Sequence, residues 1–122
     1  MVVLKISEVT SLTGLNASTL RYYEKIGLIP SVDRDQGGIR EYSREDVEWA
    51  EFIKCMRSAG LSIDSLKDYT QMYRQGDSTI NARKELLDEE RCKLIEKKDE
   101  IEKTIKRLNV KIAHYEDAFE TV

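Results

Sequence analysis

The sequence predicts a mainly α-helical fold that ends in one long helix, and three observations carry this prediction. First, 35% of the residues are charged and only 7% are aromatic, a composition typical of helices with long solvated faces. Second, short segments of helical apolar periodicity near the N-terminus each end at a glycine. Third, residues 79–119 lack proline and glycine and repeat apolar residues at heptad spacing. A chain of 122 residues can hold one ordinary core plus an extended element.

The N-terminal residues predict two short helices joined by a tight turn. We expect Ser7 to be the N-cap of the first helix and Gly14 to end it. Asn16 can then cap the second helix, which ends at Gly27. The sequence RYYEK of this second helix, residues 21–25, places two tyrosines between cationic side chains. The order helix, turn, helix is the one in which a second helix enters the major groove of DNA.

Residues 31–42 predict a β-hairpin whose turn lies at residues 35–38, because paired glycines suit a tight turn. Arg40 alternates with Ile39 and Glu41 along the strand, so its side chain projects from the face of the hairpin opposite to theirs. A polar hairpin standing alone is more often a solvated turn without a ligand. Beside the cationic helix, however, we interpret it as a wing that contacts DNA.

A third helix is predicted from a capping box formed by Ser43 and Asp46, and Gly60 ends it. Winding the helix at its natural period gives an apolar face made of Trp49, Phe52, Ile53, Met56 and Ala59. We interpret the two aromatic residues of this face as core rather than as a ligand cage.

A fourth helix, residues 63–73, follows the expected N-cap Ser62, and a hinge at residues 75–78 leads into the long helix. The long helix carries a heptad seam, Ile80, Leu87, Leu94, Ile101, Leu108 and Tyr115, followed at four-residue offsets by Lys84, Arg91, Lys98, Ile105, Ile112 and Phe119. At about 1.5 Å per residue it would be roughly 60 Å long, too long to bury its seam on the rest of the chain. It therefore needs a partner, most simply a second copy. A helix lying on a membrane is the alternative, but the acids along its polar face disfavour anionic lipid.

Three runs of the sequence resemble, in this order, the MerR family of bacterial transcription regulators: ISEVTSLTGLNASTLRYYEKIGLI, GGIREYS and FIKCMRSAGLSIDSLKDY. With the terminal helix, the resemblance covers nearly the whole chain. It implies a winged helix-turn-helix DNA-binding domain with linker helices in residues 1–75 and a coiled-coil dimerisation helix in residues 79–119. It also implies a homodimer that binds a near-palindromic promoter site, distorts the DNA and realigns the elements that RNA polymerase recognises.

The resemblance further implies DNA contacts at Arg21, Tyr23, Arg40 and Arg57. With the neighbouring polar residues of the second helix and the wing, the predicted DNA-binding set is Ser18, Thr19, Arg21, Tyr22, Tyr23, Lys25, Arg34, Arg40, Tyr42 and Arg57. The net charge of -3 weighs against a nucleic-acid partner. It is compatible with DNA if the cations face one way and the acids the other.

The residues give little support for metal binding or catalysis. Cys55, Cys92 and His114 lie on different helical stretches, so no cluster of ligands or catalytic groups is expected. The glycine pair of the hairpin is not followed by the lysine of a P-loop. We therefore predict no enzyme activity, no cofactor and no metal. Separated cysteines and the lack of a signal peptide or apolar span predict a cytoplasmic protein.

The run FIKCMR resembles a MerR subgroup whose single cysteine is associated with aldehyde, nitric-oxide or electrophile stress, which implies that Cys55 is the sensor. In the predicted third helix Cys55 lies at the border of the apolar face, between Phe52 and Ser58. It could equally be a small packing residue. Three rival functions stay open: a regulator with a non-covalent ligand beside the fourth helix, a coiled-coil module whose head binds protein, and a thiol redox enzyme.

Overall fold

The structure, a computed structural model, describes residues 2–120, with side chains for residues 2–119. The elements of this part of the chain are α1 (Ile6–Thr13), α2 (Ala17–Lys25), β1 (Asp33–Arg34), β2 (Arg40–Glu41), α3 (Arg44–Ala59), α4 (Ile63–Gln75), a 3-10 turn (Asp77–Thr79) and α5 (Ile80–Glu120). The predicted fold class, mainly α with a winged helix-turn-helix followed by a long terminal helix, is confirmed.

Local caps define the two helices of the helix-turn-helix. The Asn16 side chain accepts a hydrogen bond from the Thr19 N–H at 2.8 Å, which confirms the predicted cap of α2. The predicted cap of α1 is wrong, since Lys5 and not Ser7 is its N-cap residue. The reason is Glu8, whose carboxylate accepts a bond from the Lys5 N–H at 3.1 Å and so sets the start of the helix earlier.

The wing is a short antiparallel hairpin in which Arg34 lies opposite Arg40. Asp35 closes its turn, because one carboxylate oxygen accepts from the N–H groups of Gly37 at 2.8 Å and Ile39 at 3.0 Å. The predicted hairpin and the position of its turn are therefore confirmed.

Tyr42 leads from the wing into the core. Its backbone exchanges two hydrogen bonds with Leu4, each 2.8 Å long, so the N-terminal segment is held against the end of the wing. The Tyr42 side chain is fully buried, and its hydroxyl has no hydrogen-bond partner among the described residues. Burial raises the pKa of this phenol above its usual value.

The face that α3 turns to the core agrees with the predicted one only at Ile53. Its buried residues are Val47, Ala50 and Ile53, whereas Trp49, Phe52 and Met56 are half-buried and Ala59 is exposed. The two aromatic residues instead face α4, where the Trp49 ring lies 4.9 Å from that of Tyr73 and the Phe52 ring 5.7 Å from that of Tyr69. A single helical face was predicted because periodicity cannot separate a core stripe from an adjacent helix–helix contact.

Helix α4 supports the segment that follows α2. The buried Thr70 hydroxyl donates to the Leu28 carbonyl at 2.7 Å, and Arg74 donates to the Ile29 carbonyl at 3.2 Å. Leu28 and Ile29 are themselves buried, so the chain between α2 and the wing is fixed on the core. The predicted Ser43–Asp46 capping box of α3 is also present.

The chain divides into two compact units, Met1–Leu86 and Leu87–Val122. In the second unit the seam residues Ile101, Leu108 and Ile112 are more than half exposed. None of the helices described combines the length and apolar composition needed to cross a bilayer.

Candidate nucleic-acid interface

Helix α2 and the wing together line one open cleft of about 510 Å³. Its lining, which we call the α2–wing cleft, consists of Ser18, Arg21, Tyr22, Glu24, Lys25, Arg34 and Arg40. The predicted helix-turn-helix and the predicted wing thus contribute to one surface. Six members of the DNA-binding set predicted from the sequence lie in it: Ser18, Arg21, Tyr22, Lys25, Arg34 and Arg40.

The electrostatics of the α2–wing cleft differ from those of the whole chain. Four of its lining side chains are cationic and a single one, Glu24, is a carboxylate. The other acids of the wing region, Asp33, Asp35 and Glu41, do not line it. A net charge of -3 therefore coexists with a locally cationic concave surface, the arrangement that attracts a phosphate backbone.

Glu24 is the residue of the cleft that the sequence did not single out. One carboxylate oxygen accepts from Arg40 Nε at 2.7 Å, and the other accepts from the Val32 N–H at 2.8 Å. Both side chains of the ion pair are largely buried, with 22% of Arg40 and 12% of Glu24 exposed. The pair joins α2 to the wing across the sequence, so no local pattern could have revealed it.

Two opposing effects act on the pKa of Glu24. Burial raises it, but the hydrogen bonds from Arg40 and the Val32 N–H, together with the charges of Arg40 and Arg34, outweigh burial. The net result is a pKa below the usual value for glutamate, so the carboxylate is charged at neutral pH. Arg40 consequently faces a permanent counter-ion.

The other predicted DNA contacts lie outside this cleft. Thr19 and Tyr23 are half-buried on α2. Arg57 donates to the Leu61 carbonyl at 2.8 Å just beyond the end of α3. The prediction that Tyr42 contacts DNA is wrong for this conformation, because its side chain is fully buried. Strand alternation placed Tyr42 near the wing but could not show that the chain turns inward there.

The predicted sensor, Cys55, is exposed on α3. This corrects the expectation that it lies half-packed at the border of an apolar face. The two cations that flank it in sequence are both engaged elsewhere. Lys54 Nζ donates to the Thr13 carbonyl at 2.5 Å, and Arg57 bonds to Leu61. Cys92 is also exposed, on α5.

No metal-binding group of three or more histidine, cysteine or acidic side chains occurs among the residues that the structure describes. An aromatic pocket of about 210 Å³ lies between α3 and α4, lined by Glu45, Glu48, Trp49, Phe52, Tyr69 and Tyr73. It lies apart from the α2–wing cleft, with which it shares no lining residue.

A helix-turn-helix whose second helix forms a cationic cleft with an adjacent hairpin defines a winged helix-turn-helix DNA-binding protein. The sequence matches the family described as MerR HTH family regulatory protein over residues 4–73, and the one described as MerR, DNA binding, over residues 47–110. The chain belongs to the MerR family of transcription regulators.

Individual relatives agree with this assignment. The HTH-type transcriptional regulator AdhR of Bacillus subtilis (strain 168) is 55% identical over 93 residues, which cover 76% of this chain and 66% of AdhR. A structure described as a MerR family regulator from Listeria monocytogenes has a TM-score of 0.90 at 42% identity, covering 93% of this chain and 86% of that one. HiNmlR, described as a MerR family regulator lacking the sensor domain and bound to promoter DNA, has a TM-score of 0.86 at 28% identity, covering 96% and 93% respectively.

Proposed function

We propose that this MerR regulator binds a near-palindromic promoter site as a homodimer, distorts the DNA and thereby controls the access of RNA polymerase to the promoter. In this proposal residues 1–75 bind DNA, residues 79–119 form the dimer, and thiol-reactive electrophiles act through Cys55. In the same proposal the protein acts on its promoter without a catalytic role of its own, and it acts in the bacterial cytoplasm.

The α2–wing cleft is the observation that carries the DNA-binding part of the proposal. Helix α2 is short and is preceded by a tight turn, so its N-terminal residues, including Ser18, can approach base edges in the major groove. Arg21 and Lys25 lie one turn apart on its exposed side and face the same cleft as Arg34 and Arg40 of the wing. These four cations are suited to adjacent phosphates on either side of the groove. Thr19, Tyr23 and Arg57 are proposed as secondary contacts.

The similarity to HiNmlR supports the same arrangement, because that regulator is described as bound to promoter DNA and this chain aligns with 93% of it.

The seam of α5 supports dimerisation. In the single chain, Ile105, Leu108, Ile112 and Phe119 are each between 49% and 82% exposed. A regularly spaced stripe of this size is costly to leave in water, at roughly 25 cal/mol per Å² of apolar surface. Pairing with the same stripe of a second copy buries it, which is the usual solution for a heptad helix.

Salt-dependent binding to a duplex tests the function as a whole. We would locate the operator by footprinting the DNA upstream of the gene. The Kd of that duplex and of a scrambled duplex would then be measured between 50 and 200 mM salt. Over this range about six phosphate contacts change the affinity by roughly a thousandfold. Sedimentation of the free protein gives its oligomeric state. A head that binds protein instead of DNA would show no preference for the operator and no salt dependence, and a monomer at micromolar concentration would contradict the proposed dimer.

A further inference from the structure

We propose that Glu24 is a positioning residue for DNA binding: it locks the wing to α2 and aims the Arg40 guanidinium into the α2–wing cleft. This inference rests on the proposed function, since it assumes that Arg40 contacts the DNA backbone. A carboxylate in a phosphate-binding surface would otherwise be expected to weaken binding by charge repulsion.

The geometry of the two bonds supports this role. Glu24 lies on the last turn of α2, and its two oxygens reach two different parts of the wing segment. The bond from the Val32 N–H at 2.8 Å fixes the backbone just before β1. The bond from Arg40 Nε at 2.7 Å fixes a side chain of β2. One side chain therefore holds both strands of the wing against the helix.

The bond from Arg40 Nε to Glu24 leaves the terminal N–H groups of the guanidinium available to a phosphate. Glu24 engages Nε, while no hydrogen bond from either terminal nitrogen of the guanidinium occurs among the described residues. Arg40 is 22% exposed and lines the cleft. A guanidinium held through Nε presents its terminal N–H groups in a fixed direction, and less side-chain freedom is lost when a phosphate binds.

The variant Glu24→Gln separates a positioning role from a purely electrostatic role, because the two roles predict opposite changes in the affinity for DNA. Glutamine keeps one oxygen, enough to accept from Val32 or from Arg40 but without the charge that holds the guanidinium. Removing a negative charge from the cleft should tighten DNA binding if Glu24 acts only by repulsion. Positioning predicts instead that the Kd for the operator rises by about threefold to tenfold. Asp33→Asn is the matched control, because it removes one negative charge from the exposed β1 without touching Arg40; we expect equal or tighter binding.

A double-mutant cycle with Arg40→Ala completes the test. If Glu24 acts through Arg40, Arg40→Ala weakens binding and Glu24→Gln has no further weakening effect in that background. Tighter binding by Glu24→Gln, or the same weakening with and without Arg40, would overturn the inference while leaving the DNA-binding function intact. Unchanged affinity in Arg40→Ala would overturn the proposed Arg40 contact itself, and this inference with it. Circular dichroism melting of each variant shows that the folded protein is being compared.

Discussion

Lys54 of α3 donates from its ammonium group to the main-chain carbonyl of Thr13, the last residue of α1, at 2.5 Å. The carbonyls at the end of a helix lack intrahelical partners, and a cation there also interacts favourably with the helix dipole. The bond joins the helix that carries Cys55 directly to the first helix of the helix-turn-helix. It spans 41 positions of the sequence, so helix periodicity alone does not predict it.

Lys54→Met should lower the free energy of unfolding by about 1 kcal/mol, because it removes one hydrogen bond and a favourable charge at the end of α1 while keeping the aliphatic stem. Urea unfolding followed by circular dichroism measures the change. Lys67→Met, on an exposed position of α4, is the matched control and should have little effect. Equal losses in the two variants would show that the bond to Thr13 contributes nothing specific.

Arg21→Ala should weaken operator binding with little change in stability, since Arg21 is exposed and lines the α2–wing cleft. If it contacts one phosphate, the slope of log affinity against log salt becomes shallower by about one unit. Fluorescence anisotropy at several salt concentrations gives the slope. Lys103→Ala on α5 makes the same change in net charge far along the sequence and should leave the slope as it is; a matching loss in both variants would mean that Arg21 acts only through net charge.

Local sequence signals predicted the helices well because their causes are local. The caps formed by Asn16 and Ser43 depend on residues three positions away. Ser7 was misplaced as a cap because Glu8 offered a competing acceptor for an earlier N–H. Among the cleft cations, Arg21 and Arg40 were predicted from the resemblance to the MerR family, and Lys25 and Arg34 were added as their neighbours on the second helix and the wing.

Other features depend on contacts that no short window contains. The Glu24–Arg40 pair connects α2 to β2, and the composition of the segment showed only that its charges nearly cancel. The burial of Tyr42 follows from its pairing with Leu4 at the other end of the domain. The helices, the hairpin and most of the cleft residues could therefore be predicted before folding was known. The Glu24–Arg40 pair, which holds the wing on α2, is visible only in the folded protein.

Acid should remove a contribution of Glu24 to stability. Its pKa is lower in the folded protein than usual, so its contribution is fully present above the pKa of the unfolded state and is lost as pH falls through the folded pKa. The difference in unfolding free energy between the natural chain and Glu24→Gln should therefore shrink as the pH is lowered from 7 towards about 3. Urea unfolding at a series of pH values measures it, and a difference that stays constant or grows in acid would contradict the assignment.

We predict that the long helices of the dimer run antiparallel, as the resemblance to the MerR family implies. A parallel dimer would be favoured by pairs such as Arg83 with Asp88 of its partner, but both have uses within one chain. Arg83 bonds to Thr79 at 3.1 Å, and Asp88 forms an ion pair with Arg91. Exposed pairs of this kind contribute only about 0.3–0.5 kcal/mol each, so the charges do not dictate a parallel arrangement.

A single cysteine near the end of α5 decides the orientation. Thr121 lies outside the described residues, so we choose Phe119→Cys in a Cys55→Ser, Cys92→Ser background. Antiparallel helices hold the two introduced thiols far apart, and oxidation should leave the dimer uncrosslinked on a non-reducing gel. Rapid, quantitative crosslinking at micromolar protein would show that the helices are parallel.

The final prediction is that Cys55, and not Cys92, receives the signal. Both thiols are exposed and open to modification, so accessibility does not distinguish them. The two cysteines differ instead in their connection to the DNA-binding residues. Cys55 directly follows Lys54, whose bond holds the end of α1, so an adduct on Cys55 can disturb a contact of the helix-turn-helix.

A modified Cys55 can shift the equilibrium between two dimer shapes only by the difference in free energy that the adduct makes between them. Loss of the Lys54–Thr13 bond would change this free-energy difference by about 1 kcal/mol per protomer, and the two protomers of a dimer act together.

We therefore expect Cys55→Ser to keep operator binding and to lose the transcriptional response to aldehydes and other electrophiles in a promoter-reporter assay, with Cys92→Ser responding normally. Lys54→Met should bind the operator and respond weakly, because the bond that transmits the signal is already missing. A Cys55→Ser protein with a full response would show that the signal enters elsewhere, and the aromatic pocket between α3 and α4 would then be the next place to look for a non-covalent ligand.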